Sequence, residues 1–112
     1  MTERPITRGD IWWVGLDPTQ GSEIKKTRPC IVLSHDTLNR LRRTVIVVPL
    51  SSAAQVHPPI TVSLSCQGKP AVAIVDQIRA VARHRLKERI EAASSEDVAA
   101  VTEALRTVLN IA

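Results

Sequence analysis

From residue 11 to residue 81 the apolar residues of this 112-residue chain fall in short runs rich in β-branched side chains. Polar or proline-bearing segments break the runs, and only after Ser95 does the spacing lengthen to a helical period. Runs this short suit strands and cannot build helices of ordinary length. Ile11–Leu16, announced by the Gly9-Asp10 turn, predicts a first strand and Pro29–Ser34 a second. Val45–Leu50 predicts a third, buried on both faces and left at Pro49. Ile60–Leu64 alternates strictly, which predicts a fourth strand with one face buried. Gln67-Gly68-Lys69 turns the chain into a fifth over Ala71–Val75, and Ile78–Val81 reads as a sixth. Asp36 is placed to cap a helical turn over Thr37–Arg42. Arg83–Ala93 fits either a strand or a short helix. Ser95 reads as the cap of a terminal helix whose Val98, Val101, Leu105, Val108 and Leu109 share one face, with Glu96 and Asp97 at its positive end. The closing Leu109-Asn110-Ile111-Ala112 reads as packing rather than display. The expectation is one domain over residues 1–112: mainly β, a strongly bent sheet or partial barrel of short strands, with the terminal helix laid against it.

Two polar stretches interrupt this pattern, Asp17–Thr27 and Ser51–Pro59, and long loops on small scaffolds commonly carry function. Fifteen Lys and Arg against 11 Asp and Glu give a net charge of +4 and a pI near 9.7, compatible with a polyanionic partner. Eleven of the 15 cations are Arg, whose planar fork matches phosphate in bidentate fashion. There is no Phe and no Tyr, and the rings outside His are Trp12 and Trp13. A single-strand binder built on successive stacking aromatics is thereby excluded. Adjacent in a strand, the two Trp point to opposite faces, one into the core and one to the surface or a partner. Cys30 and Cys66 share no motif and read as buried thiols of a reducing cytosol, with a disulfide or metal site as the minor alternative. No signal peptide and no membrane-length apolar run is visible, so a cytoplasmic location without membrane association is expected. No metal-ligand spacing, phosphate-cradling glycine loop or nucleophile elbow is present, and neither metal nor cofactor is expected.

What remains is a set of Arg and hydroxyl side chains at loop–strand junctions. Arg28 closes the first long loop and Ser51-Ser52 open the second. On their own they read as a solvated surface charge and turn residues. If their strands are neighbours, they converge on one cleft and can grip a phosphate, the guanidinium dispersing the extra charge of a pentavalent phosphorus.

Arg8-Gly9-Asp10-Ile11-Trp12-Trp13-Val14, Leu16-Asp17-Pro18-Thr19-Gln20-Gly21-Ser22-Glu23, Arg28-Pro29-Cys30-Ile31-Val32-Leu33-Ser34, Val47-Val48-Pro49-Leu50-Ser51-Ser52 and Asp76-Gln77-Ile78-Arg79 closely resemble the MazF/PemK toxins of bacterial toxin–antitoxin systems. The resemblance covers nearly the whole chain. It implies an SH3-like (CcdB/PemK-type) small barrel of five to seven strands with a C-terminal helix. It also implies a homodimeric, metal-independent endoribonuclease that cuts single-stranded RNA, mostly mRNA, by attack of the ribose 2′-OH, leaving a 2′,3′-cyclic phosphate and a 5′-OH. Implied partners are a cognate antitoxin of the MazE/PemI kind with an acidic disordered tail and, through the toxin–antitoxin complex, operator DNA. A CcdB-like gyrase poison or a non-catalytic SH3-like binding module is the alternative.

By position, Arg28 matches the family's catalytic Arg, and Ser51 stands where the family usually has Thr, keeping the hydroxyl and losing a methyl that stiffens χ1. One plasmid-borne member uses an Arg and an Asp from the strand matching Ile74-Val75-Asp76; here the Arg position holds Ile74, so Asp76 alone can be carried over, with capping or pairing to Arg79 as its structural role. His35 replaces a common Asn; it is a base on pKa grounds or a structural histidine. Glu23 could orient Arg28 or the 2′-OH, or fix its loop. Candidate RNA contacts are Lys25, Lys26, Thr27, Ser52, Gln55, Gln77 and Arg79, the lysines adding sequence-blind affinity. His57 and His84 are expected to face solvent.

Overall fold

The computed structural model describes residues 5–16 and 26–112. Seven strands form a curled sheet: β1 (Asp10–Gly15), β2 (Thr27–Val32), β3 (Thr44–Ser51), β4 (Thr61–Cys66), β5 (Lys69–Ile74), β6 (Arg79–Ala82) and β7 (Leu86–Ala92). A short helix α1 (Asp36–Leu41) links β2 to β3, and α2 (Ser95–Val108) ends the chain. All pairings are antiparallel, in the order β4-β5-β3-β2-β1-β7, with β6 also on β3. Register shifts in the β1–β7 ladder after Ile11 and after Trp13 mark irregularities of the bulge kind, which bend a strand and add twist.

β3 organises the sheet. One of its edges carries β2; the other carries β6 over Thr44–Val47 and β5 over Leu50–Ser51. Ile46 turns its backbone toward the β2 side, where its N–H donates to Ser34 Oγ at 3.1 Å and its C=O accepts from Leu33 N–H at 2.9 Å. Alternation then directs the Pro49 nitrogen to the opposite edge, at the gap between the two partner strands, where no donor is required. Pro49 therefore lies within the strand, at its change of partner, and does not mark its exit.

Side-chain alternation sorts the core into two layers. On one face Ile11, Ile31, Val48, Leu50 and Ala73 pack against Val101 and Ala104 of α2, with Val98, Leu105 and Val108 at the margin. On the other, Trp12, Val14, Leu16, Cys30, Val32, Val45, Val47 and Val81 close a second layer. Gly9 sits where α2 approaches the β1 turn: its φ is +93°, and an added Cβ would lie 3.1 Å from Val98 Cγ2. Asp10, buried, is held by Arg89 Nη2 and by the Thr7 N–H, each at 3.2 Å.

Several expectations need correction. The α1 cap is His35, whose Nδ1 accepts the Thr37 N–H at 3.0 Å, because the Asp36 carboxylate is taken by the Arg8 N–H at 2.7 Å. The α2 cap is Ser94, accepting from Asp97 N–H at 3.1 Å, one residue before Ser95. Ile60 lies outside β4 and is exposed. Arg83–Ala93 holds both alternatives in series, a 3-10 turn at Arg83–Arg85 followed by β7. α2 ends in a Schellman arrangement: Asn110 has φ +57°, its N–H meets the Thr107 carbonyl at 3.1 Å, and the Ile111 N–H meets that of Arg106 at 2.8 Å. This turns Leu109 and Ile111 outward, 50% and 57% exposed, so the chain end is displayed and not packed.

Val101, fully buried at the centre of the α2 contact, should cost about 2 kcal/mol of stability when changed to Ala, measured by denaturant unfolding.

Candidate active site

Cys30, Ile31 and Val32 face Pro49, Val48 and Val47 across the β2–β3 ladder. Continued by one pleat, that register sets Arg28 opposite Ser51. Both line one cavity of about 270 Å³, together with Trp13, Thr27, Pro29, Leu50, Ser52, Cys66, Lys69, Pro70 and Ala71. Its far wall is the β4–β5 hairpin, a two-residue turn in which Gln67 (φ +55°) and Gly68 (φ +74°) lie between the paired Cys66 and Lys69. The β5–β3 pairing, Ser51 against Val72, folds this hairpin end over Ser51.

Ser51 Oγ accepts the Ala53 N–H at 3.1 Å. With a lone pair engaged there, the hydroxyl keeps its proton for an acceptor in the cavity. Arg28 is exposed. A fork of N–H donors, a hydroxyl donor and the Lys69 ammonium thus surround a space that suits an anion.

A second cavity of about 450 Å³ is lined by Leu16, Pro49, Asp76, Gln77, Ile78, Arg79 and Ala80. The 3-10 turn Val75–Gln77, between β5 and β6, exposes Asp76, which makes no ion pair with Arg79 among the described residues. The sequence-derived candidates therefore divide: Thr27, Arg28, Ser51 and Ser52 share one cavity, and Asp76, Gln77 and Arg79 share its neighbour. Lys26 is exposed at the foot of β2, with φ +69° and its carbonyl accepting Leu16 N–H at 2.9 Å. Gln55 lines neither cavity; its Oε1 meets His57 Nε2 at 3.2 Å and its carbonyl accepts from Thr61 Oγ1 at 2.7 Å. His35 lines neither and is held in the α1 cap. Glu23 and Lys25 lie outside the described residues.

Sequence reasoning passed over Trp13, Cys66 and Lys69. The first is 37% exposed at the cavity rim while Trp12 is buried, so the two rings do divide between surface and core. Lys69 and Cys66 read as turn and strand, and no local signal says that their hairpin closes over a residue 15 or more positions earlier. Among the described residues no group of His, Cys, Asp and Glu is arranged to hold a metal ion, and no helix is long and apolar enough to cross a membrane.

Residues 7–109 match the family model described as PemK-like, MazF-like toxin of type II toxin-antitoxin system. The chain is 40% identical to endoribonuclease MazF9 of Mycobacterium tuberculosis (strain ATCC 25618 / H37Rv) over 115 residues, covering 95% of this chain and 98% of that protein. Its fold superposes on the crystal structure of MazF from Deinococcus radiodurans with a TM-score of 0.87 at 26% identity, over 97% of this chain and 100% of the other. A mycobacterial endoribonuclease solved with its cognate antitoxin shares the fold, with a TM-score of 0.80 at 18% identity over 96% and 97% of the two chains.

The two cysteines are free and unequal. Burial pushes the Cys30 thiol up from 9.0 to about 12, the nearby Arg79 opposing it, whereas Cys66, half-buried at the cavity, is raised by burial and then by Glu91. The folded chain keeps a Cys30 proton that the unfolded chain releases near pH 9.0, so the associated stability is full below pH 9.0 and is lost as pH climbs toward about 12. Denaturation midpoints should fall across that alkaline window and fall less in Cys30→Val, while alkylation of the folded protein should label Cys66 before Cys30.

Proposed function

The chain belongs to the PemK-like, MazF-like toxins of type II toxin–antitoxin systems, and on that premise we propose that it is a single-domain endoribonuclease toxin, spanning residues 1–112, that cuts single-stranded RNA without a metal ion. The observation that carries this reading is the convergence of Arg28 and Ser51, 23 positions apart in sequence, on one anion-suited cavity.

The substrate supplies its own nucleophile. The ribose 2′-oxygen loses its proton and bonds to the adjacent phosphorus, the P–O5′ bond breaks, and O5′ takes a proton, leaving a 2′,3′-cyclic phosphate and a 5′-OH. The protein must align the 2′-oxygen with the leaving O5′ and disperse charge on the non-bridging oxygens. Arg28 supplies two parallel N–H donors to those oxygens as the phosphorus becomes pentavalent. Ser51 donates its hydroxyl to one of them, oriented by the Ala53 N–H. That hydrogen bond restrains Oγ in the way the β-branch of a Thr would, which makes Ser51 serviceable in its position. Lys69 adds a compact charge at the hairpin wall. Proton movement falls to Asp76 in the adjoining cavity or to Glu23, since among the described residues no carboxylate or imidazole lines the Arg28–Ser51 cavity itself. Thr27, Ser52, Gln77 and Arg79, with Lys25, Lys26 and Gln55 at the periphery, are the proposed RNA contacts.

Solved relatives carry a cognate antitoxin or MazE, and an acidic antitoxin segment is the proposed partner here, competing for the same cations. Homodimer formation and operator binding through the antitoxin complex complete the proposal. A gyrase-poisoning mode would use the displayed helix end at Leu109 and Ile111 and would need no phosphate cavity; the convergence of Arg28 and Ser51 favours RNA.

Antitoxin-free protein incubated with a long single-stranded RNA in excess EDTA should release fragments with 5′-OH ends. Arg28→Ala should lower kcat roughly a hundredfold or more. Ser51→Ala should lower it about tenfold, and Ser51→Thr should stay within a few-fold of the parent. Intact RNA from folded wild-type protein, or full activity in Arg28→Ala, overturns the assignment.

A further inference from the structure

We propose that Arg40, Arg42 and Arg43, grouped with His84 at the far end of β3, form a second anion site that holds the phosphate backbone of RNA running out of the active-site cavity. The inference rests on the ribonuclease reading above and extends it to where flanking nucleotides are held.

Topology assembles the group. α1 delivers Arg40 and, at its C-terminal end, Arg42 and Arg43; the 3-10 turn Arg83–Arg85 delivers His84. The Arg83 N–H donates to the Arg43 carbonyl at 2.9 Å, and the Arg83 guanidinium donates to the Asn39 carbonyl, which ties the two segments together. Asn39 is buried and clamps α1 from below, its Nδ2 donating to the Ser34 carbonyl at 3.0 Å and its Oδ1 accepting from Ser34 Oγ. The arginines therefore project from a fixed base. Arg40, Arg42, Arg43 and His84 are exposed, and the first three make no ion pair or side-chain hydrogen bond among the described residues. No acidic residue occurs in Leu38–Arg43 or Val81–Lys87, and Asp36, at the opposite end of α1, is occupied by the Arg8 N–H. Arg42 and Arg43, with Leu41 and Thr44, also line a surface cavity of about 350 Å³. The guanidinium groups of Arg42 and Arg43, sharing that cavity, repel one another, and a polyanion relieves that repulsion.

The group is aligned with the active site. β3 runs from Thr44 beside the patch to Ser51 in the cavity, about 23 Å at ordinary strand rise. β6 follows the same path along the β3 edge, with Arg79 against Val47 and Ala82 against Thr44, and the cavity of Asp76, Gln77 and Arg79 lies between the two ends. A strand of RNA gripped at Arg28 and passing Arg79 is led toward Arg42 and Arg43.

Steady-state cleavage should be compared on a long RNA and on a short oligonucleotide bearing the same mapped cleavage site, across a salt series, for wild type and Arg42→Gln/Arg43→Gln. On the long RNA the double variant should raise KM several-fold, leave kcat unchanged and flatten the dependence of log KM on log salt by about 1.4, since each single-strand phosphate contact contributes about 0.7. On the short oligonucleotide it should match wild type, which also shows that the variant is folded. An unchanged KM and salt slope on the long RNA overturns the second site while the ribonuclease stands. Loss of antitoxin affinity with RNA kinetics unchanged assigns the patch to an acidic protein segment and overturns it equally. Wild type that cleaves neither substrate overturns the ribonuclease reading and the second site with it.

Discussion

The register of β2 against β3 positions the candidate active site of this molecule. With Cys30 opposite Pro49, Arg28 stands across from Ser51; a slip of one residue would move either side chain to the other face of its strand and separate them. Burial enforces the register. Ile31 with Val48 and Leu50 pack against α2, while Cys30, Val32 and Val47 pack in the opposite layer, so a slip would expose apolar groups on both faces at once. Few small sheets are specified from both sides in this way, since antiparallel sheets commonly leave one face to solvent. Here the C-terminal helix covers one face and the curl of the sheet closes the other. The placement of Arg28 opposite Ser51 is therefore underwritten by core packing on two layers.

Pro49 contributes a second constraint. A residue without an N–H placed at the change of partner lets one strand serve β6 and β5 in turn without stranding a donor between them. Pro49 itself lines the cavity of Asp76, Gln77 and Arg79, while Leu50 and Ser51, the next residues of the same strand, line that of Arg28. Arg28 and Asp76 thus line different cavities and form no ion pair with each other among the described residues.

Legibility in the sequence followed the range of the interactions involved. Strands buried on both faces, such as Val45–Leu50, and the helical period after Ser95 announce themselves, because burial acts on every residue of the run. Caps were displaced by one residue for a local reason: His35-Asp36 and Ser94-Ser95 each offer two adjacent acceptors, and the choice depends on which one another segment claims, as the Arg8 N–H claims Asp36. Arg83–Ala93 was ambiguous because Lys87, Glu88 and Arg89 are all exposed on an edge strand and leave no periodic signal. The cavity itself was half legible. Arg28 and Ser51 emerged from their junction positions, strengthened by family resemblance, but Cys66 and Lys69 join them only through the β5–β3 pairing and Trp13 through its place opposite Pro29 in the β1–β2 ladder, and no local pattern encodes either. The displayed Leu109 and Ile111 were misread for a related reason: apolar identity suggested packing, and the Asn110 turn that directs them outward is a single-residue signal.

The two positively charged regions answer different physical demands. Arg28 lines a cavity wall, and in the proposed mechanism it meets negative charge that grows during the reaction, so its interaction would strengthen on passing from bound substrate to transition state and appear in kcat. Arg42 and Arg43 are exposed, and the backbone phosphates proposed to bind them carry a charge that does not change as the chain is cut. Binding of that kind stabilises substrate and transition state alike, lowers KM and weakens as salt rises. On the proposed reading, a toxin with both would separate how firmly it holds RNA from how fast it cuts, and an acidic antitoxin would compete at the solvent-exposed cations without having to reproduce the geometry of a pentavalent phosphorus.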